Sequence, residues 1–590
     1  MTVRRSRFSG VLLTAGLLAV AFVIWRGFQA DTTLAPRLSP GPGAEAPVVQ
    51  QRGGQIVASM RGEPRTFNRL TASDQTTDLL VGLMQGRLVR VNRSTFELEP
   101  WLAEKWEAGA DGRTFTLHLR PGVTWSDGTP FTSADVLFSI RAAYDPTVKS
   151  VVASSLMVGG QPIGATAPDA STVVLTYAAS SGPGLRLLDM LPILPKHRLE
   201  AALNAGTLGQ AWDAATPPSE IVGTGPFLLR EYQPGQRLVF DRNPKYWRTG
   251  VDGTGLPYLD RLVLEIVPDQ NAELLRLQSG ATDLTHSELR PDDYIPIRRA
   301  EQDGKVTMIE LGVGPDADAF WFCMKPEAKR KDPRFAFLQK REFRQAISHA
   351  VDREAFARTV FLGEAVPVWG PVSPGNRLWF SPNVPRYPYD LAKARALLKG
   401  IGLEDRNANG VVETASGTEA RFTVLTQQGI GYYERGTTVL REQAAMIGVA
   451  LDIVPLEPGA MFKRLGACDY DAIYMRPLAT DLDPAGNLDY WLSSGAAHLW
   501  NLEQKTPATE WEQRIDALMR EQAAALDEGR RRELFNQVQT VFAENAPALY
   551  FAAPRLYYAH SRRVQGVVPS VMRPPVLWNA DSLSVTGDAR

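Results

Sequence analysis

The sequence predicts an α/β protein built as two separate bodies. Three observations carry this reading: a strand–helix–strand pattern at 262–284, a second one at 421–455, and the absence of any repeat with a period of roughly 20–50 residues, which would signal a solenoid or propeller. At 590 residues the chain also exceeds a single core, since domains run to roughly 150 residues each. In the first unit an apolar strand beginning at Leu262 leads to Asp269, placed to cap a helix. That helix is expected to bury Leu274, Leu275 and Leu277 and to stop at Gly280 before a returning strand. In the second, Phe422, Val424 and Leu425 form a strand, Leu440, Ala444 and Ile447 fall on one helical face, and Val449, Leu451 and Ile453 alternate in the return.

At the N-terminus, Arg4, Arg5 and Arg7 precede an uncharged, largely apolar run from Val11 to Trp25, the pattern of an export signal. Both a cleaved signal peptide within 1–30 and a retained membrane anchor fit it, and the protein is expected in the periplasm or another extracytoplasmic space. No cysteine follows the run, so a lipid-modified cysteine is excluded. Residues 31–49, rich in Pro, Ala and Gly, read as a linker. In 114–125, Phe115, Leu117, Leu119, Val123 and Trp125 alternate with polar neighbours around the turn Arg120-Pro121-Gly122, which predicts a half-buried hairpin. After the turn 127–130, Thr132 and Asp135 have capping-box spacing at the start of a helix. Further helices are expected at 342–361, at 390–399 with Asp390 as cap, and at 510–544, the last as two helices meeting near 527–529.

The charge balance of 64 basic against 65 acidic side chains provides no field for nucleic acid or an anionic membrane. Cys323 and Cys468 are read as two buried thiols, with a single disulfide as the alternative in an oxidising compartment. The local signatures of serine hydrolases, zincins and nucleotide binders are missing, and the six histidines are scattered, so no enzyme chemistry is indicated. One stretch does suggest a cation. Asp405, Asn407 and Asn409 alternate before Gly410 as in a calcium loop, with Glu413 in reach, although the twelfth position is Ser416 rather than Glu. A polar turn between helix and strand accounts for the same residues, and no other cofactor is expected. Trp369, Trp379, Trp491 and Trp500 fall in Pro- or Gly-containing stretches, where rings either line a cleft or pack peripherally.

Taken together, LHLRPGVTWSDGTPFTSADVLFSIR (117–141) and GTGPFLLREYQPGQRLVFDRNPKYW (223–247) resemble hallmark segments of the family 5 extracellular solute-binding proteins, the dipeptide, oligopeptide and nickel receptors of ABC importers. The segments 256–284, 341–356 and 389–402 are similar to others of that family, in the same order. The resemblance implies a two-lobe periplasmic-binding-protein fold (type II, cluster C). Lobe one would comprise 50–315 and 546–590, with a subdomain near 91–215, and lobe two 316–545. It also implies a monomer that encloses a peptide-like solute between its lobes and hands it to a membrane permease. Sugars, opines and metal chelates are the alternative solutes, and a membrane-anchored sensor derived from the same fold is the alternative role.

Ligands of open α/β sheets sit beyond the carboxyl ends of strands, which singles out the loop from Thr426 and Gln427 to Tyr432 and Tyr433. In peptide-binding members of the family an aspartate four residues before a proline holds the peptide's amino terminus. The matching proline here is Pro484, and Thr480 stands four before it. The resemblance therefore leaves two readings: Asp481 or Asp483 takes the amine, or the contact is not used. Trp369 and Trp491 complete the candidate lining.

Overall fold

Strand Gln55–Met60 opens a four-stranded sheet and runs parallel to Arg261–Ile266, with Gln55 opposite Arg261. Arg237–Arg242 and Phe227–Gln233 extend that sheet antiparallel. The computed structural model describes residues 51–590 except 73, 286–287, 327–330, 478–481, 503 and 588–590. The expected export signal and linker, and the candidates Thr480 and Asp481, lie outside the described residues. Asp269 caps helix Gln270–Gln278 by accepting the Ala272 amide at 2.8 Å, and Leu284 returns to bridge Ala58 in parallel. Leu275 differs from expectation: it is 66% exposed, while Leu274 and Leu277 are buried. One step along a helix rotates a side chain by about 100°, so only the i, i+3 pair shares the inner face.

The second strand–helix–strand unit lies in a different sheet. Arg421–Gln427 pairs in parallel with Ala450–Leu456 and with Ala472–Met475, while Ala319–Phe322 and Ala548–Tyr550 complete five strands antiparallel. Each sheet has its own core. Ile56, Leu117, Trp125, Phe227 and Leu264 belong to one; Phe320, Phe343, Val424, Leu440 and Phe542 belong to the other. A three-stranded sheet joins them, in which Ala552–Ser561 lies between Val306–Val313 and Ala365–Pro367. The crossing back to the first body comes later than 546, because Ala548–Tyr550 and Phe551 to Ala553 still pack in the second core.

Other departures are local. Thr114–Leu119 does not pair with the residues after Gly122; it pairs with Ala103–Ala108 and Thr172–Thr176 in a separate four-stranded sheet. The turn leads out of the sheet instead, and Thr124 bridges Pro130. The capping prediction holds, with the Asp135 carboxylate accepting the Thr132 amide at 2.9 Å. The stretch 342–361 is two helices, Arg341–Ala350 and Arg353–Val360, because Asp352 accepts the Ala355 amide and starts a second one. Glu510–Ala524 and Glu528–Asn545 meet at Asp527, the cap of the latter. Cys323 and Cys468 form a disulfide with Cα atoms 6.0 Å apart, which selects the alternative over two free thiols. The glycines of the GTGP segment at 223–226 serve close approach: the Gly225 amide donates to the Met84 carbonyl at 2.8 Å, and a Cβ there would lie 2.5 Å from the Leu83 carbonyl oxygen.

His560, buried on the joining strand, has a pKa below the ordinary 6.5 because burial disfavours the imidazolium, a push only partly offset by the Ser561 carbonyl. Above pH 6.5 the ring is neutral folded or unfolded. Below that value the unfolded chain takes up the proton first, so stability falls as pH drops from 6.5 towards the lowered folded pKa. A His560→Gln variant is expected to show a flatter stability–pH curve in that window by urea denaturation at stepped pH, and an unchanged slope would contradict it.

Candidate ligand-binding cleft

Beyond the carboxyl end of Ala472–Met475 stands Arg476, and it organises the nearby charge. Its Nε donates to Asp318 Oδ1 at 2.9 Å, and the Tyr474 hydroxyl donates to Asp318 Oδ2 at 2.6 Å. The Arg476 amide donates to the Tyr433 hydroxyl at 2.9 Å, and the guanidinium lies 5.1 Å from the Tyr432 ring centre. Burial opposes the charge on Arg476. Asp318 above all, then Tyr432 and Tyr433, outweigh it and raise the pKa well above the ordinary value. The cation is therefore permanent.

Arg476 reaches a small cavity together with Glu288, Asp316 and Arg573. Arg573 stands 3.7 Å from both Glu288 and Asp316. Partial burial pushes the Glu288 carboxyl up, but Arg573, assisted by Arg476 and Arg61, holds it below the ordinary carboxylate value. A larger cavity of about 510 Å³ adjoins this one, since Pro315, Asp316, Val571 and Arg573 line both. Its walls come from both bodies: Leu482 and Asp489 from one side, and Arg87, Trp101 and Asp189 from the other. The volume falls in the range of roughly 300–1,000 Å³ typical of small-molecule sites. Arg90 is held over the Trp101 ring at 3.8 Å. Asp189 is pushed up by burial but held at about 2 by Arg93 and Arg87. Five arginines and five aspartates line this larger cavity, so it offers matched charge of both signs rather than a net field.

The sequence candidates divide. Tyr432 and Tyr433 come together with Arg476, but in the first turn of helix Gly431–Ala445 rather than in a loop, and neither lines a cavity. Thr426 is buried and donates to the Tyr474 carbonyl at 3.3 Å, and Gln427 is half-buried at the strand end. Asp483 is engaged within the fold: both its oxygens accept from Arg531, at 2.9 and 2.6 Å, and it also accepts the Ala485 amide. Trp491 is core, edge-on to Phe535 and Phe542, and Trp379 and Trp500 are core likewise. Their rings fill the space over helices 510–524 and 528–545. Trp369 is half-buried beside Arg353 and Arg386 and lines neither cavity. Asp405, Asn407, Asn409 and Glu413 share one turn outside the cleft. The described histidines are held by separate partners, such as Asp127 for His197 and Glu512 for His498, so no catalytic cluster of them forms among the described residues. Glu288, Asp316, Arg476 and Arg573 had no local signature. The one available signal was Arg476, a charge directly after an apolar strand.

Two α/β bodies joined by a sheet, with a polar, charge-balanced cleft between them, have the architecture of a binding protein for a small solute. The chain belongs to the family described as bacterial extracellular solute-binding proteins, family 5, which matches residues 97–498. It is 27% identical over 544 residues to a probable ABC transporter-binding protein of Deinococcus radiodurans, covering 88% of this chain and 89% of that one. It is 28% identical over 540 residues to the dipeptide-binding protein of Escherichia coli, covering 87% and 92%. Among solved structures, the ABC transporter substrate-binding protein CtaP of Listeria monocytogenes superposes with a TM-score of 0.74 at 23% identity, covering 91% of this chain and all of that one. That likeness shows the shared two-lobed fold. Among the described residues no helix is long and apolar enough to cross a membrane.

Proposed function

We propose that the chain captures a small zwitterionic, peptide-like solute in this cleft and delivers it to the permease of an ABC importer outside the cytoplasm, acting as a monomer. The observation that carries the reading is the cluster of Glu288, Asp316, Arg476 and Arg573, two fixed charges of each sign around one cavity, which suits a molecule with both an ammonium and a carboxylate. The similarity to the dipeptide-binding protein of Escherichia coli supports it. A non-peptide solute is the second reading, favoured by Thr480 at the position four before Pro484. In this assignment the first lobe holds 51–315 and the residues after 553, and the second lobe holds 316–553. The Arg435–Asp292 pair at 3.1 Å and the Gly182 amide on the Ala523 carbonyl at 2.7 Å are contacts that a solute-favoured shut state would gain.

Calorimetric titration with a panel of dipeptides tests the reading. Glu288→Gln is expected to weaken binding at least about tenfold, since a hydrogen bond to a charged group is worth roughly 1.5–3 kcal/mol. Dipeptides that fail to bind the wild-type protein, or bind Glu288→Gln equally well, would sink it.

A further inference from the structure

We propose that the loop from Asp405 to Glu413 is a calcium site, independent of the solute cleft. The loop links helix Leu391–Gly400 to strand Arg421–Gln427, and none of its residues lines either cavity. Asp405 Oδ2 accepts the Gly410 amide at 3.0 Å, and Asn409 Oδ1 accepts the Val411 amide at 2.8 Å. These bonds shape the turn but do not by themselves call for an ion. The evidence for an ion is Glu413. This residue is only 3% exposed, and its Oε1 accepts the Arg406 amide at 2.8 Å, which points the carboxylate at the loop. Its Oε2 is buried with no hydrogen-bond partner. A buried carboxylate oxygen without a donor is costly, and a cation in the loop would relieve it. Arg406 does not serve: its guanidinium is spent on the carbonyl oxygens of Gly402, Glu404 and Glu413 rather than on the carboxylate.

The donor chemistry selects the ion. Among the described residues no three His, Cys, Asp or Glu side chains converge, so the site draws on two carboxylates, Asn oxygens and main-chain carbonyls. An all-oxygen set without sulfur or imidazole favours calcium over zinc and copper, and mixed carboxylate and amide oxygens on an irregular turn suit calcium better than the strict octahedron of magnesium. Two formal charges and Ser416 at the twelfth position, where a bidentate Glu is usual, place the affinity in the extracellular class, with Kd of roughly 10⁻⁴–10⁻³ M.

The test is calcium titration of the EDTA-treated full chain by calorimetry, alongside melting with calcium and with EDTA. One equivalent of calcium is expected to bind and to raise Tm, while magnesium at the same concentration binds at least tenfold more weakly. Asp405→Asn and Glu413→Gln should each weaken binding about tenfold or more, in line with lost ligand charge. Asp405 is exposed, so its variant is informative even if Glu413→Gln folds poorly. No saturable binding up to about 10 mM, above the weakest extracellular class, would overturn the proposal. Calcium binding left unchanged by Asp405→Asn would overturn it equally, because the ion would then sit elsewhere.

Discussion

Replacing Arg476 with methionine is expected to destabilise the fold by roughly 3–5 kcal/mol, the cost of stranding one partner of a buried ion pair, and to abolish detectable solute binding. Asp318 is 0% exposed, and without the guanidinium its carboxylate keeps only the Tyr474 hydroxyl that the structure records opposite Oδ2. Methionine fills much of the volume but supplies no charge. Urea denaturation gives the first quantity and calorimetry the second. The double change Asp318→Asn with Arg476→Met should recover part of the stability, because the stranded charge is gone, and none of the binding. A single variant that loses less than about 1 kcal/mol would show that water reaches Asp318 and that the pair is not buried in solution.

Arg531→Ala should cost a similar amount, roughly 3–5 kcal/mol, for a different purpose. Arg531 and Asp483 are both buried, joined by two parallel hydrogen bonds. The Arg531 Nε also donates to the Gln522 carbonyl at 3.2 Å, tying helix Glu528–Asn545 to the end of Glu510–Ala524. Once folded, the variant should bind solute within about twofold of wild type, below roughly 0.5 kcal/mol. A tenfold loss of affinity would return Asp483 to the ligand site.

The contrast between these two arginines shows what could be read from sequence. Asp269 and Asp390 begin helices through bonds to amides three residues on, so their neighbourhood contains the whole signal. The parallel unit at 421–455 was legible for the same reason, since its periodicity lies within 35 residues. Glu288, Asp316, Arg476 and Arg573 are spread over nearly 300 residues and converge only when two bodies assemble. Pattern also misled where the deciding partner was distant. Trp491 has a loop-like neighbourhood, yet its ring is claimed by Phe535 and Phe542, some 50 residues on. Asp483 lies in the stretch that family likeness marks for ligand, yet Arg531 had already neutralised it.

The long strand Ala552–Ser561 has its first residues in one core and Tyr558 in the other. A rocking motion of either half would then twist this strand and the 313–319 crossing beside it, much as a torsion bar takes load. The ladder opposite it slips between Glu310 and Gly312, where Gly312 has φ +100°. Such a twist would concentrate at that irregularity, so grip and release would leave the two halves themselves unchanged in shape.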